Sequence, residues 1–346
     1  MTRPPLPYPR QWEADVVLSD GGTAHVRPIT ADDADRLRTF HSRLSKETVY
    51  NRFFAYRPSL SDADVTRFTQ VDHADRVALV ATLQDDIIGV VRYDRLPGTD
   101  EAEVAFVVED PHQGRGLGAV LLEHLAAAAR ERGIARFVAD TLPSNRAMLT
   151  VFRSAGYEIR RGLADGYVSL DFPIRQTETS LEVMRAREHR AEARSVQRLL
   201  SPRSVAVVGA SREPGAPGHE LLRSLLDNGF SGPVYAVNPA ATTVSGVRSY
   251  PDLASVPEAV DLAVVAVPAA EVADVVRACA AKGVRGIVVV SGGFADSGDE
   301  GRARLDEVVR LARAGGMRLI GPNAMGVVNT DPAVRLHATF AGAVPP

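Results

Sequence analysis

The stretch Glu103-Val104-Ala105-Phe106-Val107-Val108-Glu109-Asp110-Pro111-His112-Gln113-Gly114-Arg115-Gly116-Leu117-Gly118 decides the fold. Its first six residues read as an apolar strand. Its last six read as a glycine loop that opens a helix running from Leu117 to about Arg132, closed by Gly133. Glycine permits tight turning and lets backbone N–H groups face outward. A helix start adds partial positive charge, so the pair makes an anion site suited to a pyrophosphate. A glycine loop alone is common, but the spacing Q-x-x-G-x-G directly after a strand is more specific.

Upstream, helical patterns begin at Thr30 with acids in the first turn, at Ser45 and at Ser61. Strands follow at Val77–Thr82 and Ile87–Asp94. Downstream come a strand at Ala135–Thr141, a helix over Asn145–Ala155 closed by Gly156, and a hairpin around Ala164-Asp165-Gly166. This predicts a mixed α+β unit over residues 23–176, preceded by a flexible, proline-rich arm over residues 1–22. Residues 177–200 carry interleaved Glu and Arg without Gly or Pro. Arg190, Arg194 and Arg198 fall on one helical face. A nucleic-acid stripe is one reading; a solvated, charged linker helix is the better one, because acids interleave. From Ser201 to Pro346, strands and helices alternate and the strands are almost continuously apolar, which predicts a doubly wound, Rossmann-like α/β domain.

Composition limits the function. The chain has 346 residues, enough for two domains, and a formal net charge of -3. That argues against nucleic acid as the main partner. The one cysteine, Cys279, allows no internal disulfide and no cysteine-based zinc site, and no metal is expected. The N-terminus lacks a signal-peptide core and no apolar run reaches about 18 residues. No membrane partner is expected, and a cytoplasmic protein is.

The loop and its surroundings resemble the GNAT acetyltransferases over about residues 24–172. A second segment, Thr141-Leu142-Pro143-Ser144-Asn145 followed by a helix and Ala155-Gly156-Tyr157, adds to the resemblance. It implies that acetyl-CoA is the cosubstrate, held by Val107 and Val108 of the strand, by Gln113, Gly114, Arg115, Gly116, Leu117 and Gly118 of the loop, and by Asn145 and Phe152. An acceptor lysine, with a pKa of about 10.4, must lose a proton before it attacks the thioester. In the family a glutamate at the Glu103 position is the general base. Glu103 is favoured here, with neighbouring Glu101 as the other candidate. Many members carry a tyrosine where this chain has Phe152, and that tyrosine protonates the departing thiolate. The proton must then come from another group or from solvent. Tyr157 is a poor substitute, being expected in the core.

The turn Val208-Gly209-Ala210-Ser211-Arg212-Glu213-Pro214-Gly215 sits where a nucleotide-binding turn would. It lacks G-x-G-x-x-G, and the next strand ends in Val237-Asn238-Pro239 rather than an acid, which argues against an NAD enzyme. With Ala266-Val267-Pro268, Ser291-Gly292-Gly293-Phe294 and Gly321-Pro322-Asn323, it resembles the CoA-binding domain of NDP-forming acyl-CoA synthetases. The resemblance implies a second CoA or acyl-CoA site at Gly209, Ala210, Ser211, Asn238, Pro239, Pro268, Ser291 and Gly292; a retained fold with an empty site is the alternative. The chain ends before a match to that family's catalytic histidine, so ligase activity is not expected and the sequence is read as truncated.

Together the two halves resemble bacterial Pat-type protein lysine acetyltransferases. That implies a regulatory second domain and AMP-forming acetyl-CoA synthetase as the acceptor. A small-amine N-acetyltransferase and a non-catalytic acyl-CoA sensor stay open.

Overall fold

The computed structural model describes residues 6–164 and 166–340. Asp165 at the expected hairpin turn, residues 1–5 and the terminal residues 341–346 lie outside the described residues. The chain divides into two compact units. The first holds residues up to Asp20 and Ala24–Ala191; the second holds Gly21–Thr23 and everything from Glu192.

The first unit begins with β1 (Ala14–Val17) and β2 (Thr23–Pro28), followed by α1 (Ala34–Arg43), α2 (Lys46–Phe53) and α3 (Asp62–Thr69). Next come β3 (Arg76–Leu83), β4 (Asp86–Arg95), β5 (Glu101–Val108), α4 (Leu117–Glu131), β6 (Arg136–Thr141), α5 (Arg146–Ser154), β7 (Arg160–Ala164) and β8 (Tyr167–Pro173). The strands form one sheet in the order β1-β2-β3-β4-β5-β6-β8-β7. β3 and β4 pair antiparallel, as do β4 and β5, whereas β5 and β6 are parallel.

That parallel pair decides the architecture. It is in register only at Glu101↔Arg136, Ala102↔Phe137 and Glu103↔Val138, after which the strands part. From Val104 onward β5 keeps β4 on one side and has no partner strand on the other. α4 packs its buried stripe, including Leu117, Leu121, Leu122 and Leu125, on one sheet face with Phe106, Phe137, Phe152 and Phe172. α1 covers the other face through Leu37 and Phe40.

The expectation of a flexible arm over residues 1–22 is corrected for the described residues. Arg10–Trp12 is a 3-10 turn and β1 joins the sheet. Trp12, Val16 and Leu18 are buried, and the Trp12 indole N–H donates to Glu131 at 2.8 Å. The anchors keep the two-residue period of a strand, with Ala14 between Trp12 and Val16, but the prolines before them mask it.

α6 (Glu178–Leu200) confirms the helix expected over the charged segment. Its Arg187 forms an ion pair with Glu123 of α4. Arg190, Arg194 and Arg198 are exposed, while Ala191 and Ser195 on another face are buried.

The second unit continues with β9 (Val205–Val208), α7 (Pro217–Asp227), β10 (Val234–Val237), β11 (Thr243–Val244), β12 (Val247–Tyr250), β13 (Leu262–Val265), α8 (Ala269–Lys282), β14 (Gly286–Val289), α9 (Gly298–Ala314) and β15 (Arg318–Ile320). The sheet order is β11-β12-β10-β9-β13-β14-β15, with β12 through β15 pairing in parallel in that order. The order reverses between β9 and β13, the switch point of a doubly wound fold. β16 (Gly326–Asn329) and β17 (Leu336–Thr339) form a separate antiparallel pair. The short strands β11, β12, β16 and β17 were not expected. Cys279 is buried in α8, and burial pushes its thiol up to about 12. Among the described residues, no helix is long and apolar enough to cross a membrane.

Candidate active site

Where β5 and β6 part, a cleft of about 480 Å³, open mouth included, is lined by residues of both strands and by α2 and α5. Side chains alternate along a strand, so Glu103 and Ala105 point to one face and Val104 and Phe106 to the other. On β6, Asp140 lies on the Glu103 face, opposite to Ala139 and Thr141. All of these line the cleft, together with Asn51, Arg52 and Phe54 from α2 and Met148 and Phe152 from α5.

Glu103 is exposed, and among the described residues its side chain makes no hydrogen bond or ion pair. Its neighbours do. Opposite it on β4, Asp94 is held by Arg76 and Arg92; Asp171 is held by Arg136. Glu101 faces Arg136 at 3.7 Å and does not line the cleft. The geometry therefore separates the two glutamates that the sequence left as alternatives.

Arg52 borders this cleft and also a second, apolar pocket of about 470 Å³, open mouth included, beside α1, α2 and α3. Burial, and then the nearby Arg92 cation, hold its guanidinium down to about 10, while Glu103 and Asp94 oppose that shift. It remains charged at neutral pH. Arg52 was not among the expected site residues, because it reads as one more charge on an amphipathic helix.

The loop before α4 is tied down at several points. Gln113 Nε2 donates to Val108 O at 3.0 Å and to Thr48 Oγ1 at 3.2 Å, so the side chain latches the loop to β5 and α2. Asp110 accepts from the Ser45 N–H and hydroxyl and from the Thr48 hydroxyl. Burial works against its ionisation, but these hydrogen bonds outweigh burial and lower its pKa. They seat the start of α2, which carries Arg52 and Phe54 to the cleft. Arg115 donates to Asp20 and to His112 Nδ1, so its guanidinium is engaged within the fold. Leu117 is buried and offers only its backbone.

The loop fits an anionic group. Gly114 and Gly116 have φ of +73° and +78°, a region that side chains rarely adopt, and a Cβ on Gly114 would meet nothing within 4 Å. A Cβ on Gly118 would lie 2.9 Å from Val151, so this glycine lets α4 and α5 approach. In the first turn of α4 the N–H groups of Leu117, Gly118 and Ala119 have no intrahelical acceptor, as in any helix. The pyrophosphate of CoA is a fitting occupant. β5 beyond Glu103 has no partner strand on this side among the described residues; Val108 O is taken by Gln113, and the rest of the edge, Val107 included, can meet an extended, amide-bearing chain. Asn145 is the N-cap of α5, and its Oδ1 accepts from Met148 N at 3.0 Å.

Phe152 is 1 % exposed and meets Phe106 and Phe172 edge-on at 5.4 and 5.3 Å. It carries no proton to donate. Tyr157 stacks on Phe172, and burial raises its pKa. It does not line the cleft. Thr141 does, although it was expected only to begin the segment that leads to Asn145. It is 2 % exposed, and its hydroxyl has no hydrogen-bond partner among the described residues. An unpaired buried hydroxyl costs about 1–3 kcal/mol.

In the second unit the residues singled out by sequence converge at the carboxyl ends of β9, β10, β13 and β14. Gly209 has φ +88°, and a Cβ there would lie 2.5 Å from Ala266 O. Asn238 Nδ2 donates to Ala210 O and its Oδ1 accepts from Ala240 N, tying the first turn to the end of β10. Ser291 Oγ donates to Val267 O, next to Pro268 at the start of α8. Ser211 Oγ accepts from Glu213 N, and Pro239 and Gly292 complete the rim. Ligands of open α/β sheets bind at such a switch point. Among the described residues no group of three or more His, Cys, Asp or Glu side chains assembles that could hold a metal.

Comparison with known proteins agrees with both halves. Residues 45–157 match the family model described as the acetyltransferase (GNAT) family, and residues 203–330 match that of a CoA binding domain. The GNAT domain of S. lividans PAT is 56 % identical, with 48 % of this chain and 99 % of that domain covered and a TM-score of 0.47. An acetyltransferase of Pseudomonas aeruginosa is 31 % identical over 144 residues, which are 40 % of this chain and 77 % of that protein. The ADP-forming acetate–CoA ligase II of Archaeoglobus fulgidus is 44 % identical over 133 residues, or 38 % of this chain. The chain spans only 20 % of that ligase's length. The parted β5 and β6, the glycine loop, the family match and the identity to the Pseudomonas aeruginosa acetyltransferase lead to one conclusion: the chain belongs to the GNAT family of acyltransferases, with a CoA binding domain attached.

Proposed function

We propose that the chain transfers an acetyl group from acetyl-CoA to a protein lysine, and that the acceptor is an AMP-forming acetyl-CoA synthetase. The observation that carries the chemistry is the unpaired Glu103 at the parting of β5 and β6, beside the loop that suits a pyrophosphate. At pH 7 only about one lysine in 2,500 is neutral. Glu103 takes the proton, directly or through water, and the amine attacks the thioester carbon held along the unpaired edge of β5. Gly114, Gly116 and the first turn of α4 bind the pyrophosphate, which fixes the thioester in the cleft. The exposed rings of Tyr50 and Tyr56, at 51 % and 67 %, which flank the cleft residues Asn51, Arg52 and Phe54 in sequence, support a protein acceptor. Exposed aromatic rings are enriched at protein interfaces.

In this reading the second unit binds CoA or acyl-CoA at Gly209–Ser211, Asn238, Pro239, Pro268, Ser291 and Gly292, and tunes the transferase. The test is a panel of acceptors with acetyl-CoA: purified acetyl-CoA synthetase, unrelated proteins, and small amines. The reading expects one lysine of the synthetase to be acetylated, located by mass spectrometry. Thiol release with small amines alone would replace it with a small-amine acetyltransferase.

A further inference from the structure

The face of the sheet that carries Thr141 also carries Phe152. Thr141 ends β6, paired with Val168 of β8, and alternates with Asp140. Ala139, Phe106 and Phe152 belong to the core cluster on this face. Glu103 and Asp140 lie on the opposite face of the same cleft. The site is thus two-sided: unpaired carboxylates on one side, and on the other a lone hydroxyl among aromatic and apolar side chains. Phe152 cannot donate a proton or a hydrogen bond, and Tyr157 stacks away from the cleft on Phe172. Among the described residues, Thr141 is the side chain on this face with a buried, unpartnered donor at the cleft.

We propose that the Thr141 hydroxyl donates a hydrogen bond to the sulfur of the departing CoA thiolate, on the side of the cleft where Phe152 offers no donor. The proposal rests on acetyl transfer taking place in this cleft. In the step, the amine that has lost its ammonium proton to Glu103 forms the C–N bond, and its second N–H proton passes to water as the amide forms. The C–S bond breaks and its electron pair goes to sulfur. Thr141 keeps its proton and stabilises the sulfur charge through the O–H donor. Water then supplies the proton that converts thiolate to thiol. A hydroxyl is too weak an acid to give its proton away, but a donor to a charged atom is among the stronger hydrogen bonds. Losing such a donor slows turnover by about 10- to 100-fold.

Three variants of the full chain are compared: wild type, Thr141→Val and Thr141→Ser. Valine keeps the shape and removes the hydroxyl. If the hydroxyl is unpaired in the free protein, Thr141→Val melts a few degrees higher than wild type while turning over about 10- to 100-fold more slowly. Thr141→Ser recovers most of the lost turnover. A sulfur-specific readout needs no acceptor: calorimetric affinity for CoA against desulfo-CoA, at about pH 7 and about pH 9.5, where a thiol of pKa about 8.5 is ionised. Wild type gains affinity for CoA at the higher pH; Thr141→Val loses that gain, and desulfo-CoA binds all three proteins alike. An unchanged CoA to desulfo-CoA ratio together with unchanged turnover in Thr141→Val overturns the proposal. Equal loss of both ligands in Thr141→Val also overturns it, because that is a packing effect. If no amine is acetylated by wild type but the sulfur-specific difference persists, the acceptor reading fails and the Thr141–sulfur contact stands.

Discussion

Replacing Glu103 by Gln removes a charge and breaks no ion pair or hydrogen bond that the described residues make. Stability should therefore change by no more than about 0.5 kcal/mol, as for other exposed sites. The rate should not be so tolerant. An amide cannot accept the ammonium proton, so reaction waits for the about one lysine in 2,500 that is already neutral at pH 7. General-base loss typically costs about 10²–10⁴ in turnover. Each pH unit below the lysine pKa multiplies the neutral fraction tenfold. The variant should thus regain about 100-fold between pH 7 and pH 9, with a slope near one in log rate against pH. Wild type should be flatter over that range. The assay is thiol release at saturating acetyl-CoA with a lysine acceptor, and calorimetric affinity for acetyl-CoA should be unchanged. Near-normal turnover of Glu103→Gln at pH 7 would refute the assignment. So would a deficit that stays the same at every pH, which would point to a misplaced acceptor.

Further outcomes follow from single contacts. Gly116→Glu puts a side chain at φ +78°, with its Cβ 3.4 Å from Ser19, and a negative charge where the pyrophosphate would sit. It should abolish acetyl-CoA binding at the loop while circular dichroism stays native. A weaker binding event remaining in that protein, and lost on Ser211→Glu, would locate the second site; Gly209 is unsuitable for this test because any Cβ there meets Ala266 O. His112 titrates below its ordinary range because of burial and then the Arg115 cation, with Glu109 opposing. Its folded pKa is below the unfolded value of about 6.5, so its contribution is complete above that pH and is lost as pH falls toward the folded pKa. Acetyl-CoA affinity should hold through pH 6.5 and drop only as pH falls through the depressed folded pKa, where the Arg115–His112 contact breaks, and His112→Asn should flatten that drop in a calorimetric pH series. Asp33 is fully buried, and Arg27 donates to both of its oxygens at 2.7 Å. Asp33→Asn should destabilise the first unit by about 3–5 kcal/mol in urea unfolding, since it strands the Arg27 charge.

The parts of the fold that were legible share one property: local signals agree with the tertiary environment. β5, the loop and α4 combine an apolar alternation, glycines at positive φ and an unbroken helical stripe. β9, β13 and β14 are buried on both faces and read as continuous apolar runs. β1 was hidden because its anchors, Val16 and Leu18, follow a proline-rich stretch. β11 has two residues, and β12 alternates an exposed Arg248 with a buried Ser249, so neither shows an apolar period.

The site was legible to the same degree. Glu103 and the loop stand in one contiguous stretch, so their proximity could be read along the chain. Arg52 and Thr141 reach the cleft from elements about 50 and 40 residues away, a placement that comes only from the parting of β5 and β6. Gln113 and Asn145 keep their expected positions, but in the folded chain each serves a structural bond first: a latch to Val108 and a cap on Met148.

The account turns on where acetyl-CoA lies. Amide hydrogen exchange with and without a stable acetyl-CoA analogue reads this directly, using wild type and Gly116→Glu. Ligand should protect the backbone of Val104–Val108, at the unpaired edge of β5, and of Gly114–Ala119 at the start of α4, and Gly116→Glu should lose both. Protection confined to Gly209–Gly218 and the other β-strand ends of the second unit, with none at β5 or α4, would contradict it.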